Sequence, residues 1–110
     1  MVRMISKVPF TLIYAPAGKE HPKTIEAKYH SLIRTTIGRQ LRFEPDVETE
    51  NRKPLKHPVA FEAAWEIRFG PDNRFRVFYE LDRGSHEVLI LAIGQKKGNR
   101  LVIGGEELEL

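Results

Sequence analysis

The stretch Ala64–Gly94, AWEIRFGPDNRFRVFYELDRGSHEVLILAIG, decides the fold, because its periodicity is that of three strands joined by two tight turns. Trp65, Ile67 and Phe69 alternate with Glu66 and Arg68, the period-two pattern of a strand with one dry and one wet face. Gly70-Pro71-Asp72-Asn73 supplies turn chemistry: Pro71 pre-sets its φ, Asp72 and Asn73 tolerate unusual backbone angles, and Gly70 has no side chain to clash. In the second strand Phe75, Val77, Tyr79 and Leu81 share a face, and Arg74, Arg76, Phe78 and Glu80 take the other. Asp82-Arg83-Gly84-Ser85 makes the next reversal, with Gly84 expected at a positive φ. From Val88 to Ile93 alternation gives way to an unbroken apolar run, which predicts a strand covered on both faces at the middle of the sheet.

Upstream, Val8–Tyr14 (VPFTLIY) is a short β-rich run ended by Ala15-Pro16, and predicts the first strand. Residues from about Ala17 to Tyr29 have helical composition interrupted by Pro22, so a helix either begins at Pro22 or kinks there. A second helix from about Ser31 to Leu41 carries an apolar stripe of Leu32, Ile33, Thr36, Ile37 and Leu41, with Arg34, Arg39 and Gln40 toward water. The short link between the two predicts an antiparallel hairpin laid on the sheet. Glu44–Val59 (EPDVETENRKPLKHPV) is polar, holds three prolines and has no period, which predicts a long connecting loop. Beyond the sheet, Gln95–Arg100 is a basic turn, Leu101–Ile103 a short added strand or tail, Gly104-Gly105 a flexible joint and Glu106–Leu110 an acidic end. The expected architecture is α+β. One domain spans residues 1–110, with a core from about 8 to 103 and an acidic tail over 104–110; an N-terminal strand and a two-helix hairpin pack on a mainly antiparallel sheet of about four strands.

A chain of 110 residues fits one core that buries roughly two thirds of the unfolded surface. Charged residues at 30% and hydrophobic ones at 41% argue for a globular protein and against disorder. The absence of cysteine excludes disulfides and thiolate metal sites. No apolar run reaches the roughly 20 residues that span a bilayer, and Met1–Lys7 lacks a signal-peptide hydrophobic region, so the expected location is cytoplasmic, with no membrane partner. A net charge of +3 and a pI near 9.3 lean mildly toward a polyanionic partner. Because the last ten residues hold Glu106, Glu107 and Glu109 and no base, the body ahead of them is more basic than the total.

The order of strand, two helices, loop and antiparallel meander resembles the RelE/ParE family of toxins from type II toxin–antitoxin systems. The likeness runs from about Val8 to Arg100 and rests on Arg76-Val77-Phe78-Tyr79, the preceding Trp65-Glu66-Ile67-Arg68-Phe69, and Ala92-Ile93-Gly94 followed by bases. That resemblance implies a small basic toxin held inactive by a cognate antitoxin whose disordered segment wraps it. One branch enters the ribosomal A site and cuts mRNA without a metal; the other acts on DNA gyrase. In the RNA-cleaving members basic side chains stand on the exposed face of the strands, and Arg68, Arg76 and Lys96 match those positions by pattern. The chain departs from the pattern at Glu66, where RelE carries a lysine, and near Val102, where a tail tyrosine is expected.

Metal-free RNA cleavage needs a base for the 2′-hydroxyl proton, cations for the charge gathering on phosphorus and an acid for the departing 5′-oxygen. A guanidinium suits the second task, since its planar fork matches two phosphate oxygens and keeps its charge. Hydrophobic alternation places Arg68 and Arg76 on one wet face, either as a phosphate clamp or as a solvated surface with cross-strand partners such as Glu66 and Glu80. Lys96, Lys97 and Arg100 either grip RNA backbone or antitoxin carboxylates, or simply make a soluble turn; Arg74 extends the basic set. Phe78, on the arginine face, either stacks a base or covers the core, and Trp65 and Tyr79 belong to the dry side. His21, His30, His57 and His86 lack ligand spacing and read as surface residues, so no metal or other cofactor is expected. The expected function, which the paired arginines favour, is a ribosome-dependent mRNA endoribonuclease with Arg68, Arg76 and Lys96 at its centre; the alternative, which Glu66 and the missing tail tyrosine favour, is a non-catalytic protein of the same fold that blocks gyrase or serves as an interaction module. Oligomeric state is left open.

Overall fold

The computed structural model describes residues 8–55 and 63–108. Three antiparallel strands form the centre as the alternation requires: β3 (Trp65–Phe69), β4 (Phe75–Asp82) and β5 (Glu87–Lys97). Ile67 lies opposite Val77 and Phe69 opposite Phe75, so the dry faces of the first two strands coincide. Gly70 turns the chain with φ 83°, followed by Asp72 and Asn73 at φ 55° and 51°. A Cβ on Gly70 would also sit 2.5 Å from the Phe75 ring, so glycine is required there on two counts. At the second reversal the positive φ falls on His86, at 58°, and not on Gly84. Stacking of the His86 ring on Phe10 at 3.8 Å and its contact with the Val8 carbonyl at 2.7 Å hold it there.

The apolar run of β5 is fully buried toward α2, whereas on the other face Ala92 is buried and Leu89 and Leu91 are half-buried. Val88, Ile90 and Ile93 join the main core with Ile33, Ile37, Leu41, Val77 and Tyr79, whereas Ala92 joins a second cluster with Phe78, Leu101 and Ile103. A bulge makes the switch: Phe78 pairs with Ala92 but Tyr79 with Ile90, which leaves Leu91 as the extra residue.

The sheet has seven strands, where about four were expected. β1 (Thr11–Tyr14) runs parallel to the first half of β5, and β6 (Arg100–Ile103) pairs antiparallel with its last residues on the same side. Two further strands come from segments read as irregular. Within Glu44–Val59, β2 (Arg52–Pro54) pairs with β3; His57 and the rest of that stretch beyond Leu55 lie outside the described residues. Gly104 and Gly105, at φ 60° and 85°, form a tight turn and not a loose joint, and the acidic end becomes β7 (Glu106–Leu108) paired with β6.

The helical layer also departs from expectation. α1 (Pro16–Glu20) begins at Pro16, where a missing N–H costs nothing, and stops at Pro22. Short 3₁₀ turns over His21–Thr24 and Ala27–Tyr29 replace the rest of the first helix, so α2 (His30–Leu41) is the one long helix among the described residues. Its buried stripe is Ile33, Thr36, Ile37 and Leu41; Leu32 is turned outward. Among the described residues no helix is long and apolar enough to cross a membrane.

His21 explains the break after α1. Between the end of β1 and the start of β6, one side of β5 has no strand neighbour, and there the Ile93 N–H donates to His21 Nδ1 at 3.0 Å. The ring is 7% exposed, correcting the surface reading, and burial pulls its pKa below the usual value. An accepting Nδ1 belongs to the neutral ring. Since the folded pKa is depressed, the stabilisation is complete above about pH 6.5, the ordinary histidine value, and is lost as the pH falls through the folded value. His21→Ala is expected to cost about 1–3 kcal/mol at pH 7.5 by leaving the Ile93 N–H unsatisfied, and the gap from wild type should narrow below pH 6. Urea melts of both proteins across pH 5–8 measure this; a gap that does not change with pH contradicts it.

Candidate nucleic-acid interface

Arg68 and Arg76 are direct cross-strand partners on β3 and β4, and so project from one face of the sheet, the face opposite α2. Lys96 pairs with Leu101, a member of the second apolar cluster, which puts it on that same side two residues beyond Gly94, the partner of Arg76. The three residues singled out from the sequence therefore share one face.

Their environments differ. Arg76 is buried at 5% exposure and Glu66 at 4%, and Glu66 lies between the two guanidiniums: Arg68 Nε donates to Oε1 at 2.6 Å and Arg76 Nη1 stands 3.6 Å from Oε2. The arrangement is not a solvated face. Burial and the nearby Arg68 push the Arg76 pKa down, and the Glu66 carboxylate opposes them. Arg76 Nε also donates to the Asn73 carbonyl at 3.3 Å, tying the guanidinium to the turn. Arg68 keeps about a third of its side chain in water, at 34%. Of the pair, Arg68 is the one a solute can reach in this conformation.

The open basic surface lies at the end of the sheet where β4 begins and β5 ends. A cleft of about 600 Å³ is lined there by Arg74, Lys96, Lys97 and Gly98 together with Thr24, Glu26, Asp72 and Gln95. The backbone closes its base, since the Lys96 N–H donates to the Arg74 carbonyl at 2.7 Å. Arg74 has helical φ/ψ and not the extended geometry of the strand it precedes. Its guanidinium donates to the Tyr29 hydroxyl at 3.1 Å and lies 5.5 Å from that ring's centre. One donor is used in this way, and the others have no partner among the described residues.

Four candidates do not line the cleft: Arg68, Arg76, Phe78 and Arg100. Phe78 is fully buried in the second apolar cluster, so it covers the core and cannot stack a base. Arg100 is exposed and pairs with Glu107 at 3.0 Å across the β6–β7 hairpin. Tyr79 is core, with its hydroxyl donating to the Pro45 carbonyl at 2.6 Å and its pKa raised by burial. No group of three or more potential metal ligands occurs among the described residues. The sequence reading missed Glu26, Asp72, Gln95 and Thr24. Thr24 and Glu26 come from the segment just ahead of α2 and nothing local ties them to Lys96; only the packing brings them together. The two carboxylates, of which Glu26 also pairs with Lys28 at 3.5 Å, are proton acceptors beside the lysines.

Comparison of the chain with family models, with curated proteins and with solved structures finds no match in any of the three.

The Glu66 cluster makes an asymmetric prediction. Glu66→Gln keeps the volume but leaves Arg76 charged and buried without its counter-ion, and should cost about 3–5 kcal/mol, whereas Arg68→Ala, at a third-exposed position, should cost under about 1 kcal/mol. Denaturant melts with unchanged slope measure both. Equal losses would mean that Glu66 does not anchor the pair.

Proposed function

We propose that the protein is a toxin of the RelE/ParE type that acts on mRNA at the ribosome, cutting it without a metal, and is neutralised by a cognate antitoxin. One observation carries this reading: Arg68 and Arg76 stand directly opposite in the register of two neighbouring strands, and Lys96 projects from the same face. The α+β architecture, with its mostly antiparallel sheet, is compatible with that family. In this reading the Arg74–Lys96–Lys97 cleft takes the RNA backbone, and a phosphate in flight next to Arg68 draws the guanidiniums away from Glu66. Arg68, Arg76 and Lys96 hold charge on phosphorus. Glu26 or Asp72 accepts the 2′-hydroxyl proton, the 2′-oxygen bonds to phosphorus as the bond from phosphorus to the 5′-oxygen breaks, and the 5′-oxygen leaves with a proton taken from water.

A second reading has its own support. Glu66 occupies both guanidiniums in the present conformation, as expected of a non-catalytic binding protein of the same fold that blocks gyrase or serves as an interaction module. Both readings assign the basic surface to a partner; they differ in whether a bond is cut.

Expression of the protein alone, with sequencing of RNA 5′ ends and an assay of supercoiling, separates them. The expected result is growth arrest with cuts inside translated mRNA, and a fall in cutting of about 10²-fold or more in Lys96→Ala and in Arg68→Ala. Binding of the protein to RNA should weaken steeply with salt, by a slope of about two to three in log–log form if Arg74, Lys96 and Lys97 each meet a phosphate. Arrest with stalled supercoiling and intact mRNA selects gyrase. Absence of both, with a flat salt dependence, removes the nucleic-acid reading.

A further inference from the structure

On the opposite face of the sheet, between α1, α2 and β5, lies a cavity of about 420 Å³ that the basic surface does not use. Its size falls within the roughly 300–1,000 Å³ of small-molecule sites. Ile33 and Ile37 on α2 and Ile93 on β5 give it an apolar floor, and the Tyr14 side chain at the end of β1 lines it. Lys19 and Arg34 line it from α1 and α2, and both residues are exposed. No carboxylate lines the cavity among the described residues. Two other basic groups there are already engaged: Lys23 pairs with Glu20 at 2.9 Å, and His30 Nε2 bonds the Ile25 carbonyl at 2.8 Å. Neither Lys19 nor Arg34 has an ion-pair partner among the described residues.

An apolar floor beneath two unneutralised cations selects for a solute with the complementary split. We propose that this cavity binds a small amphipathic carboxylate, an aryl or medium-chain alkyl acid, with its apolar body on Ile33, Ile37 and Ile93 and its carboxylate between Lys19 and Arg34. The apolar body supplies affinity in proportion to the surface it removes from water. The cations set the sign of the charge accepted, Arg34 through a fork that fits both carboxylate oxygens. The Tyr14 hydroxyl, its pKa raised by burial against the pull of Arg34 and Arg42, stays protonated at neutral pH and is a further donor. Because Arg68, Arg76 and Lys96 project from the other face, occupancy here is independent of the toxin reading.

The test titrates the full chain with benzoate and octanoate, with benzyl alcohol and benzylammonium as neutral and cationic counterparts, and follows backbone amide shifts by NMR. Saturable shifts confined to Gly18, Ile33, Arg34 and Ile93 are expected for the acids, with the cation at least tenfold weaker. Lys19→Ala combined with Arg34→Ala changes only exposed side chains; it should weaken the acids at least tenfold and leave the neutral alcohol unchanged. Inorganic phosphate serves as the control for charge alone. Shifts from phosphate equal to those from the acids, equal binding of all three charge types, shifts centred on Lys96 and Arg74, or no saturation at millimolar acid would each overturn the proposal.

Discussion

Every backbone donor and acceptor of a buried central strand has to find a partner, and in this protein that demand falls on β5. Its 11 residues are too many for any single neighbour on the outer side, so β1 serves one end and β6 the other. The gap between them is closed by a side chain: His21 takes the Ile93 N–H. Much of the N-terminal half follows. The chain must leave β1, pass over β5 and deliver a histidine to one point, and the Ala15 N–H bonds the Ile90 carbonyl at 2.9 Å as it does so. A long continuous helix would carry the chain past that point. Pro22 stops α1 immediately after His21, and the 3₁₀ turns take up the slack before α2.

The same strand separates two chemistries. Toward α2, the main core leaves an apolar cavity edged by cations. Away from α2, Phe78, Ala92, Leu101 and Ile103 make a smaller apolar cluster, and the arginines lie at its border. The Leu91 bulge lets one strand serve both sides, since it puts Ile90 and Ile93 on one face and Ala92 on the other. Glu66 then decides how the arginine border behaves. Two guanidiniums side by side repel, and a buried one costs several kcal/mol unless neutralised. A carboxylate between them removes both penalties and, by the same contacts, holds them back from other anions. Any other anion would therefore have to displace the contacts that stabilise these two side chains.

The central meander was legible because a half-buried antiparallel strand writes its orientation into every second residue. The core list of Ile67, Phe69, Phe75, Val77 and Tyr79, and the shared face of Arg68 and Arg76, come directly from that period. Segments without a period were not legible. β2 and β7 are three residues each, too short to show alternation, and exist because the edges of β3 and β6 stood open beside them. Gly84 drew the positive φ in the sequence reading on propensity alone, but stacking on Phe10 placed it on His86.

Sequence by itself determined the strand order of the meander, the glycine turn at Gly70 and the side of the sheet on which the residues of β3 and β4 stand. All of these are set by sterics and by alternation within a few residues. Only the tertiary structure decided that His21 is buried, that Phe78 is core, that Glu66 neutralises two arginines, and that Thr24 and Glu26 meet Lys96. These depend on how far each group is removed from water and on which distant segment removes it. No local pattern encodes that, because solvent exclusion is a property of the packed chain.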